Sequence, residues 1–187
     1  MTNVFVDCAR VGDSIRCPGD EGFSEVVVFG KHARLRKDHP AIEAMGRLDE
    51  LEALAEWGAQ EVGGEVFSLV AALATALNTY LATGDEKWLK PIDEAVNRAC
   101  VIDVKELGWF TPSSKTTALL NLLRVKAREA ERAVVRLTDD ESLPRDKAQA
   151  LTKALNQLNK LIAHLIYVSE PQVYKSVEEK INKLLKK

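Results

Sequence analysis

Between Leu120 and Leu137 the chain sets a row of charges beside a row of apolar residues. The apolar row is Leu120, Leu123, Ala127, Ala130, Val134 and Leu137, stepping alternately by three and four, the spacing of a helix seam packed on a neighbour. One position further along runs a second ridge of Asn121, Arg124, Arg128, Glu131 and Val135, and Arg132 follows Arg128 by one turn. Guanidiniums next to a seam can snorkel and form i,i+4 pairs worth a few tenths of a kcal/mol each. They can equally border a helix–helix or subunit interface that supplies the opposite charge. Asp49 offers such a charge: it lies seven residues from Ile42, with Met45 between, on what reads as an apolar stripe. A carboxylate there is costly unless it is paired or well hydrogen-bonded, so an arginine of the ridge is a fitting partner. The alternative is that Asp49 lies at the edge of the stripe and meets water.

The elements that must carry these residues are helical. Asp38 is a candidate N-cap and Pro40 sits in the first turn of a helix expected from about His39 to Val62, broken by Gly63 and Gly64. Val66 to Ala82 is strongly apolar and is expected as a buried helix ending at Gly84. Lys87 to Val104 is a weaker helix with Pro91 near its start. After the loop Gly108–Ser114, Ser113 or Ser114 caps a long helix reaching about Leu137, and a further helix runs from Pro144 to Ser169. Pro171 ends that helix, and a short charged helix closes the chain. The first 37 residues lack helical periodicity and hold Gly12, Pro18, Gly19, Gly22 and Gly30, so they read as an ordered loop with an extended piece at Val26–Phe29. The expected fold is all-α: an up-and-down bundle of about five long helices in a single domain over residues 1–187, preceded by a glycine-containing loop segment over residues 1–37.

The composition narrows the function classes. The chain has 187 residues, 46% of them apolar and 29% charged, with a formal net charge of −2. That balance argues against a broad electrostatic footprint for nucleic acid. No apolar run of membrane-spanning length and no signal peptide is expected. The three cysteines (Cys8, Cys17, Cys100) and three histidines (His32, His39, His164) show neither a C-x-x-C pair nor ligand spacing. Neither a protein-bound metal site nor a disulfide framework is therefore expected, and a cytoplasmic location is the default.

Four segments resemble a known family, the ATP:cob(I)alamin adenosyltransferases of the propanediol-utilisation type. PGDEGFSEVVVFG (Pro18–Gly30) is similar to the family's glycine-rich loop, and RKDHPAIEAMGRLDELEAL (Arg36–Leu54) to its first-helix motif. SKTTALLNLLRVKAREAER (Ser114–Arg132) resembles its arginine-bearing helix, and LNKLIAHLI (Leu158–Ile166) its asparagine motif. The matches run in order over most of the chain. The resemblance implies a bundle that forms homotrimers, with active sites between subunits, where reduced cobalt attacks the 5′ carbon of ATP and expels triphosphate. Cobalt is then the nucleophile, so the lack of a Cys/His or Ser/His arrangement is no objection.

Carried over by position, the resemblance implies that Gly19, Asp20, Gly22 and Ser24 belong to the nucleotide loop and that Lys37 contacts the triphosphate of MgATP. It implies that Arg124, Arg128 and Arg132 bind ATP or the adjoining subunit, with Glu131 orienting them, and that Asn159 lies near ATP. Asp49 and Arg128 match a pair that bridges subunits, and Trp109 or Phe110 stands where the family places an aromatic under cobalamin. The sequence also departs from the pattern. Pro18 and Phe23 replace loop threonines, Glu129 replaces the second arginine of a pair, Ile162-Ala163 replaces Ser-Asp, Thr111–Ser114 replaces a Pro-Gly-Gly-Ser turn, and Glu52 replaces an asparagine. Weak ATP affinity is the expectation, and the departures raise two further readings: a non-catalytic or repurposed trimeric bundle, and a plain helical interaction protein.

Overall fold

The computed structural model describes residues 8–99, 109–169 and 171–186. Its core follows the periodicity closely. Leu120, Leu123, Ala127, Ala130, Val134 and Leu137 are all fully buried. The helices are α1 (Pro40–Val62), α2 (Glu65–Thr83), α3 (Lys90–Ala99), α4 (Lys115–Val135), α5 (Arg145–Val168) and α6 (Val177–Leu185). The main packing is α1 on α2 and α4, and α4 on α5. The ion pairs Lys115–Glu61 at 3.2 Å and Lys126–Glu50 at 2.6 Å lie at opposite ends of the α1–α4 contact and fix the two helices as antiparallel. Cys100, Gly108 and the end of the helix expected to reach Val104 lie outside the described residues.

The helix ends obey local chemistry. Ser114 caps α4 by accepting from the Thr117 amide while the Thr117 hydroxyl accepts from the Ser114 amide, a reciprocal capping box. Gly84 ends α2 in the left-handed conformation at φ 66°. The cap of α1 is His39 rather than the expected Asp38: its Nδ1 accepts from the Ala41 amide at 3.1 Å. The other ring nitrogen, Nε2, lies 3.3 Å from the Asp140 carboxylate, which ties the start of α1 to the turn after α4. Asp38 instead pairs with Arg36.

Three expectations need correcting. First, strands are present in three antiparallel pairs: β1 (Ala9–Val11) with β2 (Ser14–Arg16), β3 (Phe23–Val28) with β4 (Lys31–Arg36), and β5 (Trp109–Thr111) with β6 (Gln172–Tyr174). In β4 the side chains alternate between exposed cations and the half-buried Ala33 and Leu35, so its apolar signal is too thin to read as a strand. Second, Cys8 and Cys17 form a disulfide across the β1–β2 hairpin. Their spacing alone does not reveal this; the turn at Gly12, φ 62°, brings them together. Third, a run of membrane-spanning length exists. Helix α2 is long and apolar enough by length and composition, at mean hydropathy 1.5. Half of that window is buried within the bundle, on α1, α5 and β3, which accounts for its apolarity.

A charge network closes the α1–α4 groove. Lys126 pairs with Glu50 and, at 3.0 Å, with Glu129; Arg47 reaches Glu43 at 2.8 Å, Glu50 at 3.0 Å and Glu129 at 3.6 Å. The Lys126 hydrogen bond, opposed by burial and helped by Arg47, holds the Glu50 carboxyl below its ordinary range. The Ser142 hydroxyl does the same for Asp140, with His39 contributing less. Carboxyls lowered in the folded state bind fewer protons there than in the unfolded chain. The stability they contribute is therefore complete above the unfolded value of about 4 and is lost as pH falls through the lower folded values. Urea midpoints are expected to be flat from neutral pH to about 5 and to fall below about 4. A midpoint that rises on acidification would contradict this.

Candidate active site

The glycine-rich loop is held by the β3–β4 hairpin, and the hairpin by α2. Phe29 and Gly30 form its tip, both at positive φ (48° and 83°). Their amides donate to the carbonyls of Leu81 and Ala82, each at 2.7 Å, satisfying acceptors at the C-terminal end of α2. The Phe29 ring, 4% exposed, meets Tyr80 edge-on with centroids 6.0 Å apart. At the open end of the hairpin, the Asp20 carboxylate accepts from the Cys17 amide at 2.7 Å, and the Lys37 amide donates to the Gly22 carbonyl at 2.8 Å.

These contacts shape a hollow lined by Pro18, Gly19, Phe23, Ser24, Arg34 and Lys37, with Glu21 and Glu25 at its edge. Of the loop residues singled out from sequence, the structure thus brings Gly19, Ser24 and Lys37 together. Asp20 and Gly22 support them by fixing the turn. Arg34 was missed. Its guanidinium lies 4.8 Å from the Phe23 ring centroid and pairs with Glu21 at 3.0 Å and Glu25 at 3.7 Å. The signal that could have found it is the pairing of Glu25 opposite Arg34 once the hairpin register is known. All three of these charged side chains are well exposed, so the pairs are weak and exchangeable.

Gly19 is required by its backbone, at φ 88°, and by its neighbour: a Cβ there would lie 3.0 Å from Lys37 Nζ. The ammonium can move aside, so Gly19→Ala is expected to cost only about 1–2 kcal/mol of stability, from the left-handed backbone. It would also displace Lys37 from the hollow. The expected result is a midpoint a few degrees lower and a much reduced thermal shift with MgATP. A full thermal shift in the variant would remove Lys37 from the nucleotide site.

The second group of residues lies along α4. Arg124 is half-buried, with its guanidinium 5.9 Å from the Phe110 ring centroid and its nitrogens donating to Asn121 Oδ1 at 3.1 and 3.2 Å. Burial, and then repulsion from Arg128, pulls its pKa down from the ordinary arginine value. Arg128 and Arg132 are exposed. Among the described residues, neither they nor Arg124 has a carboxylate within 4.0 Å. Glu131, expected to orient the arginines, forms no such pair among the described residues. Glu129, the apparent intrusion of negative charge, turns into the α1–α4 groove towards Lys126 and Arg47, and Arg132 lines that groove further along. On α5, Asn159 is 7% exposed and its Oδ1 has no partner. Trp109 is 53% exposed, while Phe110 on the opposite face of β5 packs against the core.

Asp49 does not occupy the core face of α1, which is Ala41, Ala44, Leu48, Leu51, Ala55 and Gly58. It is exposed on the α1–α2 rim, accepts a hydrogen bond from Asn78 Nδ2, and borders a shallow hollow with Val26, Val27, Met45 and Ala82. The seven-residue spacing placed it correctly beside Ile42 and Met45, but both of those are only half-buried.

The start of α1, which follows the loop, is tied to the turn after α4 by His39 and Asp140. Arg132 stands one turn before Arg136 and lines a hollow with Glu43 of the first turn of α1. Arg124 stands twelve residues before Arg136, about 18 Å back along the helix axis.

Among solved structures, the chain is similar to two variants of the PduO-type ATP:corrinoid adenosyltransferase from Lactobacillus reuteri. A phenylalanine-to-alanine variant, complexed with cobalamin and ATP, aligns at TM-score 0.59 and 20% identity, covering 84% of this chain and 97% of that one. An arginine-to-lysine variant, complexed with ATP, aligns at TM-score 0.60 and 18% identity, covering 83% and 96%. At such identities the likeness speaks for the fold. No curated protein matches the sequence. The sequence pattern of one family matches residues 15–169, from the second strand to the end of α5, and by that match the chain belongs to the cobalamin adenosyltransferase family.

Proposed function

We propose that the protein transfers the adenosyl group of ATP to cob(I)alamin, giving adenosylcobalamin and triphosphate, and that it does so as a cytoplasmic homotrimer using MgATP. Family membership supports the reaction class. The observation that carries the reading for this chain is the uncompensated charge on α4: a half-buried Arg124 repelled by Arg128, with no carboxylate beside either. Placing like charges together is costly unless an anion joins them, and triphosphate is such an anion.

In this reading the loop of one protomer, with Lys37 across Gly19, receives the phosphates, and Arg128 and Arg132 of a neighbour complete the cradle. Asn159 Oδ1, an acceptor without a donor, is matched by the N–H and O–H groups of a nucleoside. The aromatic strand β5 supplies an apolar wall for the corrin and keeps water from the reduced cobalt. The separation of the loop from Arg124 along the chain supports the homotrimer. Cob(I)alamin brings the nucleophile, so the side chains have to orient and neutralise.

The test is anaerobic incubation with MgATP and chemically reduced cobalamin. A product whose spectrum reverts on illumination is expected, as the photolabile Co–C bond requires, together with triphosphate in equal amount. No light-sensitive product at millimolar ATP, with no heat of binding for either substrate, would reject the reading. That result would favour a bundle that keeps the fold without the activity. One observation leans that way: Arg34 in the hollow is paired with Glu21 and Glu25, and two loop hydroxyls of the family are Pro18 and Phe23 here.

A further inference from the structure

The family match ends at residue 169, yet the chain continues into ordered structure that meets the candidate site. Strand β6 pairs with β5, setting Trp109 opposite Tyr174, Phe110 opposite Val173 and Thr111 opposite Gln172. Tyr174 is 1% exposed. Helix α6 follows at once, its start fixed by two side chains: Ser176 accepts from the Glu179 amide at 3.1 Å, and Glu179 accepts from the Lys175 amide at 2.8 Å. One turn into α6, Lys180 Nζ donates to the backbone carbonyl of Phe110 at 2.8 Å. Lys183 Nζ lies 5.6 Å from the Tyr174 ring centroid.

A three-residue strand cannot hold itself in place; it needs a partner and a packed face. Here the packed face is the core, on which Phe110 rests, and the partner strand comes from outside the family's matched span. β6 gives β5 its register, and Lys180 holds the carbonyl of the residue whose ring lies under the Arg124 guanidinium. Register decides which face each aromatic takes, because a slip of one residue exchanges Phe110 and Trp109 between the bundle and the open side.

We propose that the C-terminal segment 171–186 is a clamp that sets the position of the aromatic strand towards the corrin substrate, with Lys180 as its positioning residue. The proposal rests on the reading of Trp109 and Phe110 as the corrin-facing aromatics. Lys180 touches no substrate; it acts through the Phe110 backbone. Its effect should therefore fall far more on the corrin than on ATP, which it reaches only through the Phe110–Arg124 contact.

Lys180→Ala and Lys180→Arg in the full chain test this, with two readouts. In the ligand-free protein, hydrogen exchange over Trp109–Thr111 should quicken by about tenfold in Lys180→Ala, the scale of one charge-assisted hydrogen bond, and return towards wild type in Lys180→Arg. In turnover, the KM for cob(I)alamin should rise by a similar factor while the KM for ATP and the thermal midpoint hold, again with rescue by arginine. Exchange and both KM values unchanged would overturn the clamp. So would a parallel rise in both KM values with a lower midpoint, which is the mark of general loosening. Quickened exchange with an unchanged cobalamin KM would show that the clamp does not serve the corrin, and would also overturn the proposal. A wild-type protein that consumes no cobalamin fails the functional reading first, before any variant is compared.

Discussion

Replacing Arg128 by alanine is expected to lower the rate of adenosyl transfer by roughly 10²-fold or more, and Arg132→Ala to do nearly the same. The reasoning is electrostatic. Expulsion of triphosphate concentrates negative charge on the leaving oxygens, and a cation already in place stabilises that charge without reorganisation. Arg128 fits that role: it is exposed, and among the described residues no carboxylate lies near enough to satisfy it. Its repulsion also contributes to lowering the Arg124 pKa, so removing it relaxes the free enzyme while weakening the anion complex. Arg132→Ala, which leaves the expected partner of Asp49 in place, should keep its assembly and its thermal midpoint as activity falls, a combination that unfolding cannot mimic. Arg128→Lys keeps the charge but loses the planar fork and should recover only part of the rate. Single-turnover absorbance under anaerobic conditions gives the comparison. Wild-type rates in both alanine variants would remove the α4 arginines from the chemistry and leave them as solvated surface.

The sequence made the long helices legible because each buries one face on a neighbour, whereas α6 buries no residue. The row from Leu120 to Leu137 is both a spacing pattern and a line of fully buried side chains, Ser114 caps the start of its helix, and Gly84 ends α2, as capping chemistry requires. The hairpin was obscured for two physical reasons. Its second strand, KHARLR, buries little, and its tip places Phe29 as well as Gly30 at positive φ. The strand Gln172–Tyr174 is three residues long, too short for an alternation to show, and its meaning comes only from its partner sixty residues earlier. Site residues could be named singly only through the resemblance of their segments to the family's motifs; spacing alone left the arginine ridge open between a solvated face and an interface. Their grouping could not be read. Glu129 looked like a charge set against a polyanion, and it is instead the hub of Arg47 and Lys126. Arg124 lies well back along α4 from Arg132, which lines a hollow with Glu43 at the start of α1, and spacing along one chain cannot tell whether two chains share a site.

Asp49 decides whether they share it. In the isolated chain this carboxylate has one hydrogen bond, from Asn78, and lines an open rim with the apolar Val26, Val27, Met45 and Ala82 and the polar Glu52, Thr75 and Thr79. The carboxylates of Asp49 and Glu52 on one open rim suit a neighbour that brings a cation. We expect the homotrimer to place Arg128 of the adjoining protomer there, burying the pair. Removing one member of a buried pair strands the other and typically costs about 3–5 kcal/mol, two to three orders of magnitude in association. Asp49→Asn should therefore turn a trimer at micromolar concentration into a mixture dominated by monomer, seen by light scattering, with activity falling in step. The charge-reversed double variant, Asp49→Arg with Arg128→Asp, separates pairing from packing: if the two side chains meet, it should reassemble better than either reversal alone. Activity would stay low in that variant, because Arg128 is also wanted by the triphosphate. A wild-type monomer at micromolar concentration would remove the interface altogether. An Asp49→Asn protein that assembles normally would return Asp49 to the solvent and leave the arginine row free to face a ligand alone.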